Sequence, residues 1–176
     1  TTGTITYTAL TDTAANLATN TGSYVTSNKA VTISEGSTAT LAQLVSINAA
    51  TTGAITLSTE TIAANYSGSA ANLVLAFAGT VTTHTGTVTI TDAPTVAQLV
   101  SINAATTGAI TLSTADGALS GSAANLVLAF AGTVTEHTGT VTITDAPTVA
   151  QLVTINAETT GAITLSTADG ALSGSA

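Results

Sequence analysis

Two histidines, His84 and His137, lie 53 residues apart in the phrases THTG and EHTG. Imidazoles at one position of each copy of a repeat could stack in a column, bind a metal ion or respond to pH. However, the chain contains no cysteine, and the residue aligned with the histidines in the first copy is Asn28. We therefore expect both histidines to be exposed turn residues.

Four aspartates recur as two pairs. Asp92 and Asp145 each precede Ala-Pro and an apolar stripe with helical spacing, which is the position of a helix N-cap. Asp116 and Asp169 each lie in the phrase TADG, which is typical of a turn. Calcium prefers such oxygen ligands, although the glycine-aspartate nonapeptide of calcium-binding β-rolls is missing. We predict capping and turn roles, and leave open whether calcium binds at Asp116 and Asp169.

Side-chain amides recur with the greatest regularity, in three series. In a stacked repeat, such amides hydrogen-bond to neighbouring coils and satisfy buried backbone groups, so we expect them to be structural. The series are Asn48, Asn103 and Asn156; Asn16, Asn72 and Asn125; and Gln43, Gln98 and Gln151.

Thr-x-Thr runs are dense, and Thr-Val-Thr at 87–89, 133–135 and 140–142 are examples. On one flat face, such runs would form a regular array of hydroxyl and methyl groups, as in ice-binding solenoids. The favoured interpretations are that threonine suits a half-buried strand or carries O-linked sugar. No Ser-His-Asp arrangement, phosphate-binding loop or pair of acids stands out. We therefore predict no catalytic, cofactor-binding or metal-binding residue, and a chain that is not an enzyme.

These residues recur because the sequence contains an internal repeat. Residues 68–99 return as residues 121–152 with one change, Thr83 to Glu136. Near-identity at a fixed period is typical of stacked repeats, in which each unit buries a face against the next. We expect one continuous array with a diverged first repeat at 1–52, a second at 53–107, a third at 108–160 and a truncated fourth at 161–176.

Two kinds of coil are predicted within each repeat. In the first, a strand containing Val88 and Ile90 precedes a short helix that ends with a left-handed glycine cap at Gly108. In the second, a helix capped by Ser120 or Ser122, or alternatively a buried strand, ends at Gly132. Val96, Leu99 and Val100 form one apolar stripe on the first helix. The predicted inward-facing residues are Val88, Ile90, Leu99, Ile102, Ile110, Leu112, Leu126 and Phe130.

The predicted fold is an α/β or β-rich repeat solenoid of parallel strands and short helices. Its 53-residue period consists of a 22-residue and a 31-residue coil, as measured between successive Thr-Gly phrases. Since parallel strands stack about 4.8 Å apart, such an array would form a rod.

Composition excludes several classes of partner. The chain has 176 residues, a net charge of −8 and Lys29 as its single basic residue, so nucleic acid and anionic membranes are not expected to bind. The sequence contains no run of 18 apolar residues, which is the length that a membrane-spanning helix needs. Scarce lysine and abundant threonine suit an exported protein. Because the chain starts without methionine and stops within a motif, we expect a piece of a longer or processed protein.

Three phrases carry a family resemblance: TDTAANL at 11–17, ITDAPTVAQL at 143–152 and INAETTG at 155–161. They resemble repeats in giant secreted bacterial surface proteins, cyanobacterial ones among them. The resemblance implies an extracellular, cell-surface scaffold, adhesin stalk or surface layer, and it transfers no active-site residue.

The expected function is therefore an extracellular structural repeat protein that forms a fibre, surface layer or adhesin stalk, without catalysis or cofactors. The alternative is an ice-binding solenoid that uses the Thr-x-Thr arrays. The expected partners are copies of the chain or further repeats of the same chain, joined end to end, and glycans.

Overall fold

Short parallel strands alternate with short helices in the computed structural model, which describes residues 6–79 and 81–166. The elements are β1 Ala9–Asp12, α1 Ala14–Thr19, β2 Ala30–Ile33, α2 Leu41–Ala50, β3 Ile55–Thr56, α3 Thr59–Ala63, β4 Tyr66–Gly68, α4 Ala70–Phe77, β5 Val88–Ile90, α5 Val96–Ala105, β6 Ile110–Leu112, β7 Leu119–Gly121, α6 Ala123–Ala129, β8 Val141–Ile143, α7 Val149–Ala157 and β9 Ile163–Leu165.

The strands form three parallel sheets, with the orders β1-β2-β3, β4-β5-β6 and β7-β8-β9. The second and third sheets have equivalent registers, because Val88 pairs with Ile110 as Val141 pairs with Ile163. Within each sheet, consecutive strands of the chain pair, and a helix lies in the crossover connection that each parallel pair requires. The fold therefore belongs to the α/β class, as predicted.

Six helices pack against one another in chain order, from α1 to α2, α4, α5, α6 and α7. Each of them directly follows a strand, and we call such a strand–helix pair a unit. Units 1 to 6 are β1–α1, β2–α2, β4–α4, β5–α5, β7–α6 and β8–α7.

The core lies between the inner faces of the strands and the apolar faces of the helices. Alternation buries the first and third residues of β5, and helical spacing buries Leu99 and Ile102 of α5 on the same side. Val100 is half-buried against this core. The prediction of the core is confirmed for all eight residues, which are buried: Val88, Ile90, Leu99, Ile102, Ile110, Leu112, Leu126 and Phe130.

The predicted start of α5 at Asp92 is wrong. Thr95 is the N-cap, in an extended conformation (φ −78°), and it forms a capping box with Gln98. The same arrangement joins Thr148 to Gln151 at the start of α7. A threonine three residues before a glutamine satisfies two backbone N–H groups at once, which Asp92 is too far from the helix to do.

The predicted end of α5 is also wrong. The helix ends at Ala105, Thr106 follows in an extended conformation (φ −132°), and Gly108 does not have a positive φ. Glycine is needed there for another reason. A Cβ atom at position 108 would overlap the carbonyl group of Gly86, which lies just before β5.

The segment after β7 is a helix rather than the alternative buried strand. Ser122 caps it by accepting a hydrogen bond from the backbone N–H of Asn125, so Ser122 rather than Ser120 is the cap. Gly132 follows the helix in the left-handed conformation (φ 75°), as expected for a residue that reverses the chain. None of the helices in the described ranges is long and apolar enough to cross a membrane.

Candidate functional site

The two histidines are buried, and the prediction that they are exposed is wrong. His84 has no exposed surface, and its Nε2 atom lies 2.6 Å from the carbonyl oxygen of Ala64. His137 repeats this contact with the carbonyl oxygen of Gly117 at 2.7 Å. A carbonyl oxygen only accepts hydrogen bonds, so Nε2 carries the proton in both imidazoles.

Each histidine is also bonded to a threonine further along the chain. The hydroxyl of Thr106 donates to the backbone oxygen of His84 at 3.1 Å, and Thr159 donates to that of His137 at 2.8 Å. Each histidine therefore joins a segment about 20 residues before it to one 22 residues after it.

Aromatic rings complete the surroundings of His84. The ring of Phe77 stacks on the imidazole with a centroid distance of 5.4 Å, and the ring of Tyr66 lies 5.0 Å away. Burial lowers the pKa of His84, and the hydrogen bond to Ala64 acts in the opposite direction. Since the charged imidazole is disfavoured there, His84 is a neutral, structural side chain.

Metal binding by the histidines finds no support in the part of the chain that the structure describes. No group of three or more His, Cys, Asp or Glu side chains comes together there. Asp116 lies in an exposed turn, and Asp169 lies outside the described residues, so calcium binding there stays open.

The counterpart of the histidines in the first copy is Lys29 rather than Asn28. Thr51 donates to the backbone oxygen of Lys29 at 2.6 Å, as Thr106 does to that of His84. The Nζ atom of Lys29 donates to the carbonyl oxygen of Tyr7 at 2.8 Å and lies 5.0 Å from the centre of its ring. The only basic residue of the chain thus replaces a histidine in the same kind of contact.

Asp92 and Asp145 do bind the start of a helix, but it is the helix of the preceding unit and not, as predicted, the one that follows them. The Oδ1 atom of Asp92 accepts a hydrogen bond from the N–H of Ala70, the first residue of α4, at 2.7 Å. Asp145 accepts one from the N–H of Ala123, the first residue of α6, at 2.8 Å. Helix N-termini attract negative charge, so both bonds stabilise the contact between units.

One of the three amide series bridges units, as predicted. The Nδ2 atom of Asn48 in α2 donates to the carbonyl oxygens of Ala76 and Ala78 at the end of α4. Asn103 in α5 does the same at the end of α6, with its shortest bond, 2.6 Å, to Ala131. These amides satisfy carbonyl groups that a helix end leaves without an internal partner.

The other two series do not bridge units. Gln43, Gln98 and Gln151 each bond to the cap of their own helix. Asn16 donates to Asp12 within unit 1, and Asn72 and Asn125 are exposed.

Hydroxyl side chains form a row across the outer face of each sheet. Alternation turns Val88 inward, so Thr89 faces outward, and the pairing register places it beside a hydroxyl residue on each neighbouring strand. Thr135 of the Thr-Val-Thr run at 133–135 instead donates to the carbonyl oxygen of Ile110. The rows are Thr11, Thr32 and Thr56; Ser67, Thr89 and Thr111; and Ser120, Thr142 and Thr164.

An apolar hollow of about 600 Å³ opens beside α7 and β9. Val149 and Val153 are 37% and 65% exposed there, whereas Val96, the counterpart of Val149 one repeat earlier, is 5% exposed.

No protein-family model, curated protein or solved structure matches this chain. Its function is therefore inferred from the contacts between its units and from the surfaces that those units expose.

Proposed function

We propose that the chain is an extracellular structural repeat protein, an α/β solenoid that serves as a fibre, surface layer or adhesin stalk. The observation that carries the proposal is the repetition of polar contacts between units at equivalent positions. His84 and His137 have equivalent partners in successive repeats, as do Asp92 and Asp145. Contacts of this kind let a chain lengthen without any new type of interface.

The spacing of the strands supports a period built from two unequal coils. The step along the chain from Tyr66 of β4 to Val88 of β5 is shorter than the step from Val88 to Leu119 of β7. The longer coil contains the additional strand β6.

The proposed partners are copies of the chain or further repeats of the same chain, joined end to end. The outward hydroxyl rows provide positions for glycans.

Small-angle scattering on lengthened chains tests the solenoid. A copy of residues 114–166 is inserted once or twice directly after Ser166, which keeps the 53-residue phase of the repeat, and we expect the maximum dimension to increase by the same increment each time. A globular chain would instead grow with about the 0.38 power of its length. Growth of that kind would contradict the proposed stalk.

Antibodies test the location separately. An antibody raised against the chain is applied to intact and to permeabilised cells of the source organism. We expect equal binding to both, whereas binding only after permeabilisation would contradict a cell-surface role.

The hydroxyl rows favour ice binding as a second candidate. Three hydroxyl residues lie side by side on each sheet, at the spacing of about 4.8 Å that separates paired strands. Thermal hysteresis by the chain, abolished by Thr89→Lys and Thr142→Lys together, would favour this candidate over the stalk.

A further inference from the structure

The apolar surface beside α7 and β9 forms what we call the end face. Val153 is its most exposed apolar side chain, and Leu152 is half-buried. The end face consists of Val149, Leu152, Val153, Asn156, Ile163 and Leu165.

The same surface one repeat earlier is covered by unit 5. Leu99 of α5, the counterpart of Leu152, has no exposed surface because α6 packs against α5. The end of β7 approaches the first residue of α5 so closely that a Cβ atom on Gly121 would lie 3.1 Å from Val96. The chain thus contains a direct example of what the end face fits.

Asn156 supplies the end face with a side-chain amide, and its counterparts earlier in the chain show what such an amide binds. Its counterpart Asn103 donates to the carbonyl oxygens of Leu128, Ala129 and Ala131, which lie at the end of α6. Asn48 makes the equivalent contact with the end of α4. In both cases, the helix that receives the amide has the sequence AANLVLAF.

We propose that the end face is a docking site for a helix of the AANLVLAF type from a further repeat, and that Asn156 binds the carbonyl groups at the end of that helix. The apolar side chains supply the contact area, and the amide fixes where the helix must end. This inference rests on the proposed solenoid. It names the segment that packs against α7 and β9 when the solenoid is extended.

Unit 1 of a second copy fits this site poorly. Helix α1 ends one residue earlier than α6, and Asn20, at the position of Ala129, is in the left-handed conformation (φ 49°), so the carbonyl groups that Asn156 would bind are not arranged as at the end of α6. Asp12 also stands where β7 has Gly121, and its side chain would crowd Val149. The site therefore selects a further repeat over the start of a second copy.

Two short peptides of equal length, with sequences taken from this chain, test the selection. Residues 122–132 contain the AANLVLAF helix, and residues 13–23 contain the equivalent part of unit 1. Each is added to the full chain, with methyl groups of valine, leucine and isoleucine followed by NMR. We expect residues 122–132 to shift the methyl signals of Val149, Leu152 and Val153 in a saturable manner, with those of Leu99 unchanged.

Substitution of the amide tests the specific role of Asn156. We expect Asn156→Ala to weaken binding of the 122–132 peptide by about tenfold, because the carbonyl groups lose their partner. Asn125→Ala, at an exposed amide of α6, serves as the matched control and is expected to leave binding unchanged.

Three results would overturn the proposal: no saturable shift with residues 122–132, equal binding of both peptides, or equal binding by the Asn156→Ala chain. Self-association of the unmodified chain in sedimentation, abolished by Val153→Asp, would identify a second copy as the occupant and would also overturn it. Scattering from the lengthened chains is independent of these results, so failure of the docking site and failure of the stalk are distinguishable.

Discussion

The carboxylate of Asp92 binds the backbone N–H of Ala70, which precedes it by 22 residues and begins the helix of another unit. This bond crosses from one unit to the one before it, and Asp145 repeats it with Ala123. A side chain that caps a neighbouring helix makes the stability of one unit depend on the presence of the next.

Replacement of Asp92 by alanine should therefore destabilise the chain although the residue is exposed. We expect Asp92→Ala to lower the free energy of unfolding by about 1 kcal/mol, the usual cost of losing a capping side chain. Chemical denaturation measures the change. Asp116→Ala, in an exposed turn, is the control and should change stability by less than about 0.5 kcal/mol; equal effects of the two substitutions would contradict the capping role.

The amide of Asn103 should contribute more than that of Asn125, although both lie on helices. We expect Asn103→Ala to cost about 1–3 kcal/mol, because carbonyl groups at the end of α6 lose their donor. Asn125 is exposed, so Asn125→Ala should be nearly neutral. Thermal unfolding of the two variants measures the difference, and similar midpoints would contradict the bridging role of Asn103.

Local sequence pattern was sufficient to predict the strands β5 and β6, the helix α5 and their buried side chains, whereas α3 was not predicted. Val88 and Ile90 alternate with threonine, and Leu99 and Ile102 share a helical face, so periodicity alone identifies their inner sides. The N-cap of α5 is predicted at Asp92 instead of Thr95 because Asp-Ala-Pro and Thr-Val-Ala-Gln are both typical helix starts. The spacing of Thr95 and Gln98 is the signal that identifies the true cap.

Apart from the amide contacts of Asn48 and Asn103, contacts between units could not be predicted in the same way. The burial of His84 depends on the carbonyl group of Ala64, which is 20 residues away and has no signature in the sequence. The helix that Asp92 caps likewise depends on which strand lies beside α4. Which backbone group each of these side chains meets depends on how one unit packs against the next, and the local sequence pattern does not determine it.

Acidification should destabilise the chain through His84. Burial lowers the pKa of its imidazole below the ordinary value of 6.5, so the unfolded chain binds more protons below that pH. The stability that the neutral imidazole provides is therefore complete above about pH 6.5 and is lost as the pH falls towards the folded-state pKa. We expect the wild-type chain to lose more stability between pH 7.5 and 5 than His84→Asn, measured by denaturation at each pH, and parallel profiles would contradict this.

Leu99 should be among the most sensitive positions in the core. The side chain has no exposed surface, so we expect Leu99→Ala to cost about 2–5 kcal/mol through lost contacts and a residual cavity. Leu128 is 54% exposed, and Leu128→Ala should cost less than about 0.5 kcal/mol. Urea denaturation of both variants measures the contrast between an inward and an outward leucine.

Gly108 should tolerate no side chain, although its backbone conformation is ordinary. A Cβ atom would overlap the carbonyl group of Gly86, so Gly108→Ala must push two segments of backbone apart, at a cost of about 1–3 kcal/mol. Gly36 provides the opposite case, because its φ is 77° and a Cβ atom would meet nothing within 4 Å. Its replacement by alanine should cost only the conformational strain, about 1 kcal/mol. A larger loss for Gly36→Ala than for Gly108→Ala, measured by thermal unfolding, would contradict the close approach of the two backbone segments.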